Sequence, residues 1–246
     1  MVTNSNFNFT SNSIITLELP FSEHIEELRQ RLFLVFGIIL LLTCLAFIEV
    51  KSLVKILELP ISNVKFFQIS PGEYFISTIK ISFYTGLLLS SPFIIGQLIL
   101  FLLPGLTQRE TKIILPLLLS SLILFGLGLA FSYYTLIPAA LTFFLNYSEE
   151  VLEPFWAFDQ YFEFLLVLFY STGLAFQIPI LQILLGLLNI VSPNQMLSAW
   201  RYIILLSTVL GAILTPSTDP LTQLLLALAI LLLYFSGLGI LFLIKN

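Results

Sequence analysis

"HIEELRQRLFLVFGIILLLTCLAFI", His24 to Ile48, carries five titratable side chains in its first ten residues and no charge in the remaining fifteen. The charged part has helical spacing. Glu27 stands four residues before Arg31 and Glu26 three before Arg29, so each acid meets a base one turn on. Ile25, Leu28 and Leu32 fall on one face, Ser22 is placed to cap the first turn, and Glu23 and Glu26 suit its positive end. From Leu32 onward the apolar part gives about 25 Å of helix, close to the ~30 Å of a bilayer's hydrocarbon core. Two roles fit the charged entrance: a solvated helix start that anchors a membrane span, or a surface that receives a charged ligand.

The rest of the chain repeats the apolar theme. Of 246 residues, 58% are hydrophobic and 10% charged, against roughly 25% charged in a soluble domain, and the mean hydropathy is +1.04. A single soluble core cannot hide that much apolar surface. Segments 32–48, 75–103, 113–137, 162–188, 202–215 and 221–244 read as spans. The expected fold is therefore an all-α membrane protein, one domain over residues 21–246 with six transmembrane helices. Residues 1–20, rich in Asn, Ser and Thr, read as a mobile tail with neither a secretory nor an Arg-rich import pattern. Pro92 and Pro179 predict bends in the second and fourth spans and a concave bundle. The fifth span covers only roughly 21 Å and predicts local thinning of the bilayer.

Charge sets the orientation. With the N-terminus on the cytoplasmic or stromal side, the inner face holds Arg29, Arg31, Arg109, Lys112, Arg201 and Lys245, and the outer face Lys51, Lys55 and Lys65. Six against three satisfies the positive-inside rule with both termini inside. The outer connections 49–74 and 138–161 mix acids, aromatics and Pro, and read as amphipathic segments capping that face. Lys80, Gln97, Glu163, Gln177, Gln182 and Gln223 lie within spans or at their edges and are costly facing lipid. Lys80 and Glu163 are placed to snorkel outward, whereas Gln177 and Gln223 suit contacts between helices. An offset of 87 residues aligns Gly86 with Gly173 and Pro92 with Pro179, which fits either a two-helix repeat or the chance alignment of Leu-rich spans.

Several function classes drop out. A net charge of -4 leaves no basic face for nucleic acid. One cysteine, Cys44, and one histidine, His24, give neither a disulfide nor a multi-ligand metal site. The GxSxG, HExxH and GxxxxGK[ST] signatures are absent, so the reading is a non-enzyme without cofactor or metal. The inner loop "LPGLTQRETK", 103–112, holds a second carboxylate, Glu110, between Arg109 and Lys112. Alone it is a solvated turn. Together with the charged entrance it offers two inner-face carboxylates for a cationic peptide.

From Phe21 onward the chain resembles the TatC family of twin-arginine protein translocase subunits. "HIEELRQRL" looks like the family's H-L-x-E-L-R-x-R-L motif and "LPGLTQRETKIILP" like its P-x-L-x-x-x-E loop. "AFQIPI" and "LTPSTDPLTQ" look like its fourth- and fifth-span signatures. The resemblance implies a receptor for signal peptides with two adjacent arginines, driven by the proton-motive force, acting with single-span partners of the TatA and TatB type in a homo- or hetero-oligomer. By position, Glu27, Arg29 and Glu110 match the signal-peptide site. Gln177, Asp219 and Gln223 match polar positions within or beside spans, and Leu205 and Val209 lie where partner helices are expected. Many bacterial members have a glutamate where this chain has Gln177. "QISPGEYF", "AFQIPI" and "TPSTDPLTQ" resemble the cyanobacterial and plastid branch most, which implies a thylakoid or other plastid membrane, the alternative being a bacterial inner or thylakoid membrane. A small secondary transporter, suggested by the repeat and the bent spans, and a purely structural scaffold are the rival readings.

Overall fold

The computed structural model describes residues 21–59, 65–102, 111–148, 155–215 and 219–245. The expected tail and the loop carrying Glu110 lie outside the described residues. The chain runs α1 (Phe21–Ile48), α2 (Val50–Glu58), β1 (Lys65–Phe67), α3 (Glu73–Leu102), α4 (Thr111–Phe131), a π-helical turn (Ser132–Leu136), α5 (Ile137–Ser148), β2 (Phe155–Ala157), α6 (Phe158–Ala175), α7 (Ile178–Leu187), α8 (Pro193–Ser198), α9 (Trp200–Leu214) and α10 (Pro220–Lys245). Among the described residues, five stretches are long and apolar enough to cross a membrane, and the shorter apolar α9 makes the sixth.

Three expectations shift at the level of single turns. The first helix already runs at Phe21, so Ser22 stands inside its first turn and not before it. Ile25, Leu28 and Leu32 form a stripe that is exposed, so this face of α1 looks outward and not into the core. The third span does not stop at Ile137. It continues through α5 as one apolar rod, Ile113–Tyr147, the widened turn Ser132–Leu136 shifting the hydrogen-bond register just before Pro138, which has no N–H to donate.

The two span prolines are accommodated differently. Pro92 removes the backbone donor that would reach the Leu88 carbonyl, and the Ser91 hydroxyl donates to that oxygen instead at 2.6 Å, so α3 persists as one helix. At Pro179 the helix breaks, α6 ending at Ala175 and α7 starting at Ile178. The offset positions Gly86 and Gly173 serve alike. A Cβ on Gly86 would lie 2.7 Å from the Thr43 Cα of α1, and one on Gly173 would lie 2.6 Å from the Phe125 ring of α4. Each glycine lets a neighbouring helix approach closely.

The α6–α7 pair is the hub. In its apolar window 67% of residues are buried, against 6% for α1. Leu136, Ile137, Phe162, Leu165 and Leu168 form the main core, while Ile99, Ile114, Leu117, Ile180 and Leu184 form a second cluster where α3, α4 and α7 meet. Arg31 of α1 touches Gln97 of α3, and Lys245 of α10 touches Asn189 just after α7. With Leu241 packed over Gly186, the start of α1 and the end of α10 lie at one end of the bundle.

At the opposite end the described parts of the expected connections include α2, β1 and β2. Strands β1 and β2 pair in parallel, Phe66 opposite Trp156, and Phe66 packs on Phe158, Tyr161 and Phe162. The Tyr161 hydroxyl donates to the Leu57 carbonyl at 2.8 Å and Tyr133 to that of Ile56 at 3.3 Å, fixing the last turn of α2. Beside this cap Lys80 does not snorkel free. Its Nζ lies 2.8 Å from Asp159 and 2.9 Å from Glu163, because two carboxylates one turn apart on α6 face it from the start of a parallel helix. Asp159 also accepts from Ser77 at 2.9 Å, and Glu73 accepts from the Ile69, Ser70 and Asp159 amides.

Asp159 holds two donors and is the less exposed partner, whereas Glu163 is 53% exposed. Asp159→Asn is expected to destabilise the inserted protein by about 1.5–3 kcal/mol, and Glu163→Gln by under ~1 kcal/mol. Thermal unfolding in one detergent checks the order, and equal losses would contradict the geometry.

Candidate functional site

The charged entrance keeps its helix pairs and adds a bond across to a second helix. Glu27 and Arg31, one turn apart on α1, meet with the glutamate N-terminal, the favourable order. The Arg31 guanidinium places Nε at 3.0 Å and Nη2 at 2.6 Å from the same oxygen, Glu27 Oε1. Its third nitrogen, Nη1, donates to the Gln97 side-chain oxygen on α3 at 2.7 Å. Both side chains of the ion pair are partly sheltered, 25% exposed for Arg31 and 29% for Glu27. The carboxylate is thus held on the α3-facing side of α1, near the end of α3 that leads into the Glu110 loop. Glu110 lies outside the described residues.

Arg29 is not built into this cluster. Two residues apart on a helix point to nearly opposite sides, and Arg29 instead pairs with Glu26, where both are largely exposed. Beneath Arg29 an apolar groove of about 600 Å³ runs along Leu32, Phe33, Val35, Phe36 and Ile39. Of the two α1 residues assigned to one site by resemblance, Glu27 faces the neighbouring helix and Arg29 faces outward.

The intramembrane polar residues fall into two groups. Gln177, at the break between α6 and α7, is buried and meets α4: Ser121 Oγ donates to its side-chain oxygen at 2.8 Å, and its amide nitrogen donates to the Ser121 carbonyl at 3.1 Å. A neutral amide fits because it both donates and accepts. Asp219 is fully buried and caps α10, accepting from the Thr222 amide at 2.8 Å. Gln223 is half-buried, its backbone carbonyl closed against Gly211 of α9. Leu205 and Val209 are exposed on α9, whose 15 residues give about 22 Å of helix. Gln177 sits at the mid-bundle break, and Asp219 at the start of α10, the end opposite the Glu27 cluster.

Sequence reasoning missed four partners. Gln97 was visible only as a costly polar residue, although an Arg near the start of one span and a Gln near the end of the next are natural partners in an antiparallel pair. Ser121 gave no signal within its Leu-rich span. Asp159 and Glu163, at i and i+4, did carry a signal, two carboxylates on one face beside a lone intramembrane lysine.

The family described as Sec-independent protein translocase protein (TatC) matches residues 23–228 of this chain. The tatC-like protein ycf43 of Trieres chinensis is 79% identical over 246 residues, which is 100% of this chain and 94% of that one. The chloroplastic Sec-independent protein translocase protein TATC of Pisum sativum is 52% identical over 224 residues, 89% of this chain and 63% of that longer one. A crystal structure described as the twin-arginine translocase receptor TatC superimposes with a TM-score of 0.79 at 34% identity, covering 91% of this chain and 100% of that one.

The Gln177–Ser121 contact ties the broken helix to α4. In a double-mutant cycle of Gln177→Leu and Ser121→Ala, a coupling of about 0.6–1.7 kcal/mol is expected in unfolding free energy, the range for buried hydrogen bonds between membrane helices. Strict additivity would show that the Ser121 hydroxyl bond contributes nothing to the contact.

Proposed function

The chain belongs to the TatC family of Sec-independent protein translocase proteins, and from that premise we propose that it binds twin-arginine signal peptides at the Glu27 end of α1. It is a multi-pass membrane protein of the twin-arginine protein-transport system, working in a plastid membrane of the thylakoid type. Its role is that of a receptor and not of an enzyme: cargo is handed on folded, and the proton-motive force supplies the energy. Family membership favours this over a small secondary transporter.

One observation carries the site assignment. The Glu27 carboxylate already binds a guanidinium, with two nitrogens of Arg31 within 3.0 Å of one oxygen, at a partly sheltered entrance. A guanidinium is permanently charged and presents a planar fork that matches a carboxylate, whereas an ammonium offers only a point charge. A site of this kind prefers arginine to lysine. A second carboxylate, Glu110, follows α3 directly in sequence, which supports its convergence with Glu27 on the second arginine of the pair. Arg29, directed elsewhere and paired with Glu26, is assigned to membrane anchoring and orientation.

Single-span TatA- and TatB-type subunits are assigned to the α9 side. There the span falls about 8 Å short of the hydrocarbon thickness, and Leu205 and Val209 offer an exposed apolar face. Gln177 and Asp219 are committed inside the chain and serve as packing and capping groups.

A charge-assisted hydrogen bond contributes about 1.5–3 kcal/mol, so Glu27→Gln and Glu110→Gln are each expected to weaken twin-arginine peptide binding about 10- to 150-fold. Insertion should remain normal. Peptide titration on membrane-inserted protein checks this, and unchanged affinity in both variants would return the entrance to the role of a helix anchor.

A further inference from the structure

We propose that Arg31 is a resident competitor for the Glu27 carboxylate, an internal guanidinium that must be displaced before a peptide arginine can bind, and that it thereby sets the affinity threshold of the receptor. The inference rests on the reading of Glu27 as the recognition carboxylate. It goes further in assigning a role to a residue that the peptide itself need not touch.

The geometry favours competition over simple support. A peptide guanidinium binds a carboxylate most strongly as a fork, with one N–H to each oxygen. Arg31 places both Nε and Nη2 on Glu27 Oε1. While it stays there, that oxygen is already engaged by two donors, and a second guanidinium would be brought against the Arg31 charge. The fork forms only when Arg31 moves aside. Gln97 keeps Arg31 in place through Nη1 at 2.7 Å. The Gln97 oxygen is neutral, so it adds a hydrogen bond without the full charge that would draw Arg31 permanently off Glu27.

The consequence is a uniform reduction in apparent affinity. When the binding-competent state is a fraction f of the total, the apparent Kd rises by 1/f for every ligand of that state. An exposed pair at this spacing alone would give a factor of about two. With the bond to Gln97 and a guanidinium three-quarters buried, the factor rises to about five to ten. A competitor of this kind leaves the arginine-to-lysine ratio intact. It lifts weak cationic ligands, such as single-arginine or twin-lysine segments, to Kd values above their working concentrations, while twin-arginine peptides stay below theirs. An orienting brace would do the reverse, since its removal would weaken binding and erode discrimination.

The test uses full-length protein in lipid nanodiscs, titrated with a synthetic signal peptide bearing two adjacent arginines and with its twin-lysine counterpart. Arg31→Gln is expected to tighten both peptides about five- to tenfold, leaving their ratio unchanged within about twofold. Arg31→Lys, which keeps the inward positive charge needed for insertion but lacks the fork, is expected to tighten both about two- to fivefold; it decides the matter if Arg31→Gln fails to insert. Affinity that falls or stays the same in the inserted variants overturns the competitor role, as does a rise confined to one peptide. Glu27→Gln in the same assay separates the two levels of the argument. Weakened twin-arginine binding in Glu27→Gln with no gain in the Arg31 variants leaves the recognition site standing and removes the competitor. Unchanged binding in Glu27→Gln overturns both.

Discussion

Hydrocarbon offers no hydrogen-bond partners, so a polar side chain carried into the membrane is stabilised when another group of the chain meets it. That constraint organises this molecule. At one end Lys80 is held by Asp159 and Glu163, in the middle Gln177 by Ser121, and at the other end Arg31 by Glu27 and Gln97. Each contact joins helices distant in sequence: α3 to α6, α4 to the α6–α7 break, α1 to α3. The apolar packing around α6–α7 fills the space between them but is non-directional. The polar contacts supply register.

The two ends differ in how their ion pairs are built. The Lys80 cluster sits beneath a cap of strands and aromatic rings, with Glu73 fully engaged by backbone amides. Its partners are committed to holding α3 against α6. The Glu27 cluster sits on the most exposed helix of the bundle, one that packs chiefly against α3, and its ion pair stays partly accessible. The two clusters are similarly sheltered, 25% and 29% exposed for Arg31 and Glu27 against 36% and 27% for Lys80 and Asp159, so exposure does not separate them. What differs is the build: Lys80 is shared between Asp159 and Glu163 across two helices, whereas Glu27 meets Arg31 within α1.

The fold was largely legible because its signals are long. Apolar runs of 14 to 29 residues give the span number, and of the prolines at Pro92 and Pro179 the second gives the break, without tertiary information. The continuation of the third span past Ile137 was not legible, since Pro138 ordinarily argues for an end and only the π-helical turn carries the helix through. Nor was the parallel pairing of β1 with β2, whose three-residue strands lie about ninety residues apart with no local pattern. At the site, the Glu27–Arg31 pair was readable from i, i+4 spacing, but Gln97 was not, because contact between helices depends on how α1 lies along α3. The close approach at Gly86 sets that contact. The offset of 87 residues gains weight from the same feature: Gly86 and Gly173 each receive an antiparallel neighbour, so the α1–α3 and α4–α6 hairpins are built on one plan.

The central claim is that the Glu27 carboxylate recognises a guanidinium of the incoming peptide, and a cross-molecule double-mutant cycle tests it most directly. Peptide affinity is measured for wild-type and Glu27→Gln protein, each against the twin-arginine peptide and versions with either arginine replaced by glutamine. A coupling of about 1.5–3 kcal/mol between Glu27 and one of the two arginines is expected. Losses that add to within about 0.5 kcal/mol for both arginines would mean that the two charges do not meet, and would contradict the account.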